Sequence, residues 1–98
     1  MSGLPAPIAI DLARVSGTVV DIPLGNGAYI IVPEGTESDY TTSTGDELVA
    51  TVTDGGTVDG AVFRPGIKSV SVGSTDITVT NRLTGTSAVF TVTITPAR

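Results

Sequence analysis

Apolar and polar side chains alternate along this chain in short bursts, and glycine or proline closes each burst before three helical turns could form. A period of two sends successive side chains to opposite faces of a strand. The pattern therefore predicts an all-β domain. Residues 1 to 7, MSGLPAP, show no alternation and contain Pro5 and Pro7, which favour an extended backbone and predict an N-terminal arm outside the core. From there Ile8, Ile10 and Leu12 share one face of a strand, opposite Ala9, Asp11 and Ala13. After a turn at Ser16-Gly17, Val20, Ile22 and Leu24 line up opposite Thr18 and Asp21. LGNG then supplies glycines for a hairpin-like reversal into AYIIVP. Pro23 cannot donate to a ladder, which places its strand at a sheet edge.

The segment EGTESDYTTSTGDE, residues 34 to 47, is polar and rich in turn formers, so it reads as the longest loop, with room for a short edge strand. Alternation resumes with Leu48, Ala50 and Val52 on one side, and Asp54-Gly55-Gly56 is a strong turn signal. TVDGAVFRPG reads as one strand with a bulge at Gly60, ended by Pro65-Gly66. IKSVSVG follows with Val70 and Val72 in phase, then TDITVTN with Ile77 and Val79 in phase. In SAVFTVTI, Phe90, Val92 and Ile94 share one face and Thr91, Thr93 and Thr95 the other, while Val89 falls out of phase on the threonine side. Seven or eight short strands between turns predict an antiparallel β-sandwich, its apolar faces packed together and its threonine faces in water.

Length and composition narrow what such a domain can do. Ninety-eight residues suit one domain, spanning 8–98 after an arm at 1–7. Cysteine and histidine are both absent, which removes disulfides, thiolate ligands, cysteine nucleophiles, and the commonest general base and zinc ligand. The net charge of -5, from ten carboxylates against five basic residues, repels phosphate backbones and anionic lipid, so neither nucleic acid nor membrane is an expected partner. The N-terminus lacks a basic region and a long apolar run, so no secretory signal is expected. The longest apolar run, AYIIV, is far shorter than the roughly 20 residues of a membrane helix.

The remaining candidate chemistry is thin. Glu34, Glu37 and Asp39 in one loop, and Asp54 and Asp59 in another, are oxygen ligands of the kind hard cations use. Neither set has the ordered spacing of a calcium loop, and Asp-Gly pairs are turn formers, so no metal is expected. GIKS lacks the adjacent Gly-Lys pair of a phosphate loop, and no helix follows LGNG as a dinucleotide fingerprint requires. Lys68 is the sole lysine, so a Ser-Lys pair is the remaining nucleophile arrangement and no convincing partner serine stands out. The sequence predicts a protein that is not an enzyme and uses no cofactor. A Lys68 isopeptide bond to Asn26 or Asn81 competes with the simpler reading of an exposed lysine near a strand end. Tyr29, Tyr40, Phe63 and Phe90 read as core or strand-surface packing.

Residues 46 to 94 carry a resemblance. VATVTDGGTVDG, RPG, STDITVT and AVFTVTI follow the order of strand and turn motifs in bacterial immunoglobulin-like domains of group 2, with IKSVSVG as an insertion. That resemblance implies an immunoglobulin-like sandwich. An acidic, cysteine-free, Thr/Val/Gly-rich β-domain that starts at Met1 with an arm also resembles the small capsid decoration proteins of tailed bacteriophages. It implies a structural virion protein on the outer capsid surface, binding the major capsid protein and stabilising the shell, with trimeric clustering as a form the role admits. In this reading residues 2 to 8 are a tether, and Leu4, Pro5, Pro7 and Ile8 are the partner-binding residues. The alternative is a secreted, cell-surface or phage-tail adhesion module that binds glycan or host protein through residues 34 to 47.

Overall fold

The computed structural model describes residues 7–33 and 35–96, with the side chain of Val58 excepted. Strand β1 (Ile8–Asp11) ends where the Asp11 carboxylate accepts a hydrogen bond from the Ala13 amide at 3.0 Å. That bond caps a single helical turn, α1 (Leu12–Val15), so Leu12 does not continue the strand face of Ile8 and Ile10 as the alternation suggested. Strands β2 (Val19–Pro23) and β3 (Gly27–Ile31) follow, then a 3-10 turn at Glu37–Asp39 and β4 (Tyr40–Thr44). Next come β5 (Ala50–Thr53), β6 (Gly56–Val58), β7 (Ala61–Phe63) and β8 (Gly66–Ser69). The two long strands β9 (Gly73–Asn81) and β10 (Ser87–Thr95) complete the fold.

These strands form a sandwich of two four-stranded sheets, in the orders β1-β3-β8-β5 and β2-β10-β9-β4, with β6-β7 as a separate hairpin. The all-β sandwich expected from the alternation is the observed architecture, but its sheets are mixed. β1 pairs parallel with β3 and β2 parallel with β10. The cause is the route of the chain: α1 carries it from the first sheet to the second, and the LGNG reversal carries it straight back. A chain that changes sheet at two successive turns re-enters the first sheet in its original direction. LGNG is therefore a tight reversal between sheets rather than the hairpin that its glycines suggested, while Pro23 does lie on an edge strand.

The core fills the space between the sheets. Ile22, Ile30, Ile77, Phe90, Val92 and Ile94 are wholly buried, each on the inward face of its strand. At roughly 1.5–3 kcal/mol for each large apolar side chain taken out of water, this layer is the main stabilising term. The outward face of β9 and β10 is lined with hydroxyls that bond across the ladder: Ser74 with Thr93 at 3.0 Å, Thr80 with Ser87 at 2.9 Å, and Thr91 to the Asp76 carboxylate at 2.9 Å. Val89 lies on that outer face, 45% exposed, as its phase required. The same face of β9 and β10 that reads as alternation in the sequence thus becomes a laterally bonded polar surface.

One further expectation holds and three change. Residues 34 to 47 do hold an edge strand, β4, which pairs with β9. TVDGAVF is a hairpin of two strands rather than one bulged strand, because Asp59 and Gly60 adopt φ of 50° and 81° and reverse the chain there. Leu48 stands outside, 76% exposed, and Val49 takes the buried place. Val70 and Val72 are also exposed, since β8 stops at Ser69 and its inward residues are Ile67 and Ser69.

Candidate protein-docking end

One end of the sandwich gathers the start of β1, the β2–β3 reversal, the β4–β5 turn and the β8–β9 turn. Its β4–β5 turn is built around Asp46, whose carboxylate accepts from the Leu48 amide at 2.9 Å and whose carbonyl accepts from the Val49 amide at 3.1 Å. This local bonding inserts Val49 into the core and turns Leu48 out. The Val49 carbonyl then accepts from the Val70 amide at 2.8 Å, and the Ser71 hydroxyl donates to the Leu48 carbonyl. Gly73 completes the corner: a Cβ there would lie 3.1 Å from Val49 Cγ2, and its φ is +154°. Two adjoining turns are thus locked together, and they hold Leu48, Val70 and Val72 in solvent.

Strand β1 starts at this same end. Ile8 pairs with Ala28 near the start of β3 and packs partly against the core, so it anchors the first sheet. Pro7 is exposed and borders a shallow groove over the outer face of the first sheet, beside Gly27, Gly66, Lys68 and Thr51. Leu4 and Pro5 lie outside the described residues. The sequence reading missed the aliphatic trio because Leu48 has the inward phase of Ala50, while Val70 and Val72 agree in phase with each other but alternate with Ile67 and Ser69, the residues that β8 turns inward. The signal that could have found Leu48 was Asp46, two residues before it in turn-forming spacing.

The acidic candidates serve local structure. Asp54 accepts from both the amide and the hydroxyl of Thr42, each at 2.8 Å, and so links the edge of one sheet to the edge of the other. Glu37 accepts from the Gly35 amide at 3.1 Å, and Asp59 occupies the β6–β7 turn. Among the described residues, no three acidic side chains converge in a way that could hold a metal ion. Glu34 lies outside the described residues. The Asn26 and Asn81 side-chain oxygens each accept from nearby turn amides, Gly27 at 2.9 Å and Leu83 at 2.8 Å respectively. Lys68 projects from the outer face of the first sheet, opposite Gly27 and Thr51.

No protein-family model matches the sequence, and no curated protein does. Among solved structures, the cysteine protease inhibitor EhICP2 from Entamoeba histolytica is similar in fold. It superimposes with a TM-score of 0.60 at 13% identity, covering 90% of this chain and 94% of that one. At that identity the likeness concerns the architecture. It places the two-sheet sandwich among known folds and leaves the assignment of a partner to the surface of this chain.

Proposed function

We propose that this chain is a non-enzymatic protein-binding domain, and specifically a capsid decoration protein that docks on the outside of a major capsid protein shell and stabilises it. The supporting observation is that the root of the arm at Pro7 and the exposed Leu48, Val70 and Val72 occupy one end of the sandwich. An apolar patch held rigidly by its own turns loses little conformational entropy on docking, and an adjacent arm adds a second point of attachment. Leu4, Pro5 and Pro7 supply apolar surface for that tether, while Ile8 fixes its root in the sheet. Repetition over a symmetric shell lets modest contacts sum to a strong clamp, and trimeric clustering would bring three such ends together.

The deciding experiment images purified particles with and without the protein. Density on the outer shell, lost when residues 1–7 are deleted or when Leu48 and Val72 are both changed to Ser, is the expected result. Density at the tail, or none, would overturn the capsid assignment.

A second reading follows from the shared fold with EhICP2, which covers nine-tenths of this chain: inhibition of a cysteine protease. Titrating the full chain into a cysteine protease assay tests it. Undiminished activity at micromolar protein would remove that reading and leave the docking proposal standing.

A further inference from the structure

At the opposite end of the sandwich the pairing of β3 with β8 stops abruptly. Ile30 donates its amide to the Pro65 carbonyl at 2.8 Å, but proline has no N–H with which to return the bond. Beyond that point the two chains part, β3 running on toward Val32 and the other strand becoming β7. Between them lies a cleft of about 680 Å³ lined by Tyr29, Val32, Glu37, Val62, Phe63 and Arg64. That volume is in the usual range for ligand sites.

The walls of the cleft are pre-set. β7 pairs on one side with β6, in the register Gly56 with Phe63, Thr57 with Val62 and Val58 with Ala61. The pair that flanks a two-residue turn is the hydrogen-bonded one, and alternation then turns the peptide groups of Val62 away from β6. Among the described residues no strand pairs with that second edge of β7. The hairpin root is wedged in place by Gly55, where a Cβ would lie 2.7 Å from the Glu37 carbonyl and 2.8 Å from the Phe63 carbonyl. Within the cleft, the Arg64 guanidinium stands over the Tyr29 ring, 5.4 Å from its centroid. One Glu37 oxygen already accepts from the Gly35 amide.

We infer that this cleft binds an extended peptide segment of a partner protein by adding it as a strand to the free edge of β7. An apolar side chain of that segment packs on Phe63 and Tyr29, and a neighbouring carboxylate bonds the Arg64 guanidinium. An exposed strand edge offers backbone donors and acceptors that only another extended backbone satisfies in series, which is why the occupant is a peptide rather than a compact ligand. The planar guanidinium, held over an aromatic ring, has an N–H edge that can make paired hydrogen bonds to a carboxylate. This site is at the other end from the proposed docking patch and does not depend on it.

The test is selection of displayed decapeptides from a random library against the full chain, followed by affinity measurement with the selected synthetic peptides and amide chemical-shift mapping. The expected outcome is an apolar-then-acidic pattern, perturbed amides at residues 61 to 64, and a loss of about tenfold or more in Arg64→Gln. Val62→Pro deletes the outward N–H and should weaken binding similarly while the unbound chain keeps its thermal transition. Selected peptides that bind both variants as well as the parent, peptides that map to the Leu48 end, or a library that yields no binder would overturn the inference.

Discussion

The hydroxyl of Ser69 donates to the carbonyl of Asn26 at 2.7 Å, and the same oxygen accepts from the Gly25 amide at 3.0 Å. Ser69 closes β8 in the first sheet, and Gly25 and Asn26 form the reversal that arrives from the second. One buried hydroxyl therefore satisfies one donor and one acceptor of the turn by which the chain changes sheet. Ser69→Ala leaves a part-buried donor and acceptor unpaired, at a cost of about 1–3 kcal/mol. Urea denaturation should show a lower midpoint with an unchanged slope; an unchanged midpoint would mean that water replaces the hydroxyl.

Asp54 performs a related task at the open side of the sandwich, where it accepts two bonds from Thr42. Asp54→Ala is expected to cost about 0.5–1.5 kcal/mol, and Asp54→Asn to restore part of the loss because its amide oxygen still accepts. The Thr42 amide should exchange with solvent faster in the alanine variant. Equal exchange rates in both proteins would show that this link is not formed in solution.

Gly55 sits where any side chain meets backbone. A methyl group at its Cβ position would lie within 2.8 Å of the Glu37 carbonyl, the Phe63 carbonyl and Pro65 Cδ, so Gly55→Ala must displace the hairpin or the 3-10 turn. The expected loss is about 1–3 kcal/mol, the range for overpacking. Amide shifts should concentrate at residues 35–39 and 56–65. An alanine variant that matches the parent in stability would show that the hairpin root yields freely.

Adjacent residues on β10 should respond in opposite ways. Phe90 is wholly buried, and Phe90→Ala should cost about 3–5 kcal/mol, a large share of a stability that for such domains is about 5–15 kcal/mol. Val89 faces out among hydroxyls, and Val89→Thr should change stability by no more than about 0.5 kcal/mol. Thermal unfolding of the two variants side by side checks both. A strongly destabilised Val89→Thr would mean that its outer face is covered.

The docking patch predicts a separation of binding from stability. Leu48 and Val72 are exposed, and changing both to Ser should leave the unfolding transition within about 0.5 kcal/mol of the parent. Attachment to particles should fall at the same time. Loss of fold in this variant, read by circular dichroism, would assign the trio to packing instead.

The placement of Ile77, Val79, Phe90, Val92 and Ile94 in the core, the outward turn of Val89 and the edge position of Pro23 were all legible in the sequence. Each depends only on the two-residue period of a strand or on a missing N–H, and both are local properties. Leu48 keeps the period of Ala50 and Val52 yet lies outside, because β5 begins only at Ala50, after a turn whose hydrogen bonds join residues 49 and 70 across the chain. Val70 and Val72 agree in phase with each other but alternate with Ile67 and Ser69, the residues that β8 turns inward. Leu12 leaves its strand for a similar reason, the cap from Asp11.

Alternation says which face a side chain takes but is identical in parallel and antiparallel pairs, so it holds no information about the neighbouring strand. The parallel pairs β1–β3 and β2–β10, the groove beside Pro7 and the cleft beneath Arg64 all follow from which sheet the chain enters after each turn. Those choices are made by contacts between residues far apart in sequence: local chemistry settled the strands and their inward faces, and long-range packing decided their partners and every surface that a ligand or another protein could use.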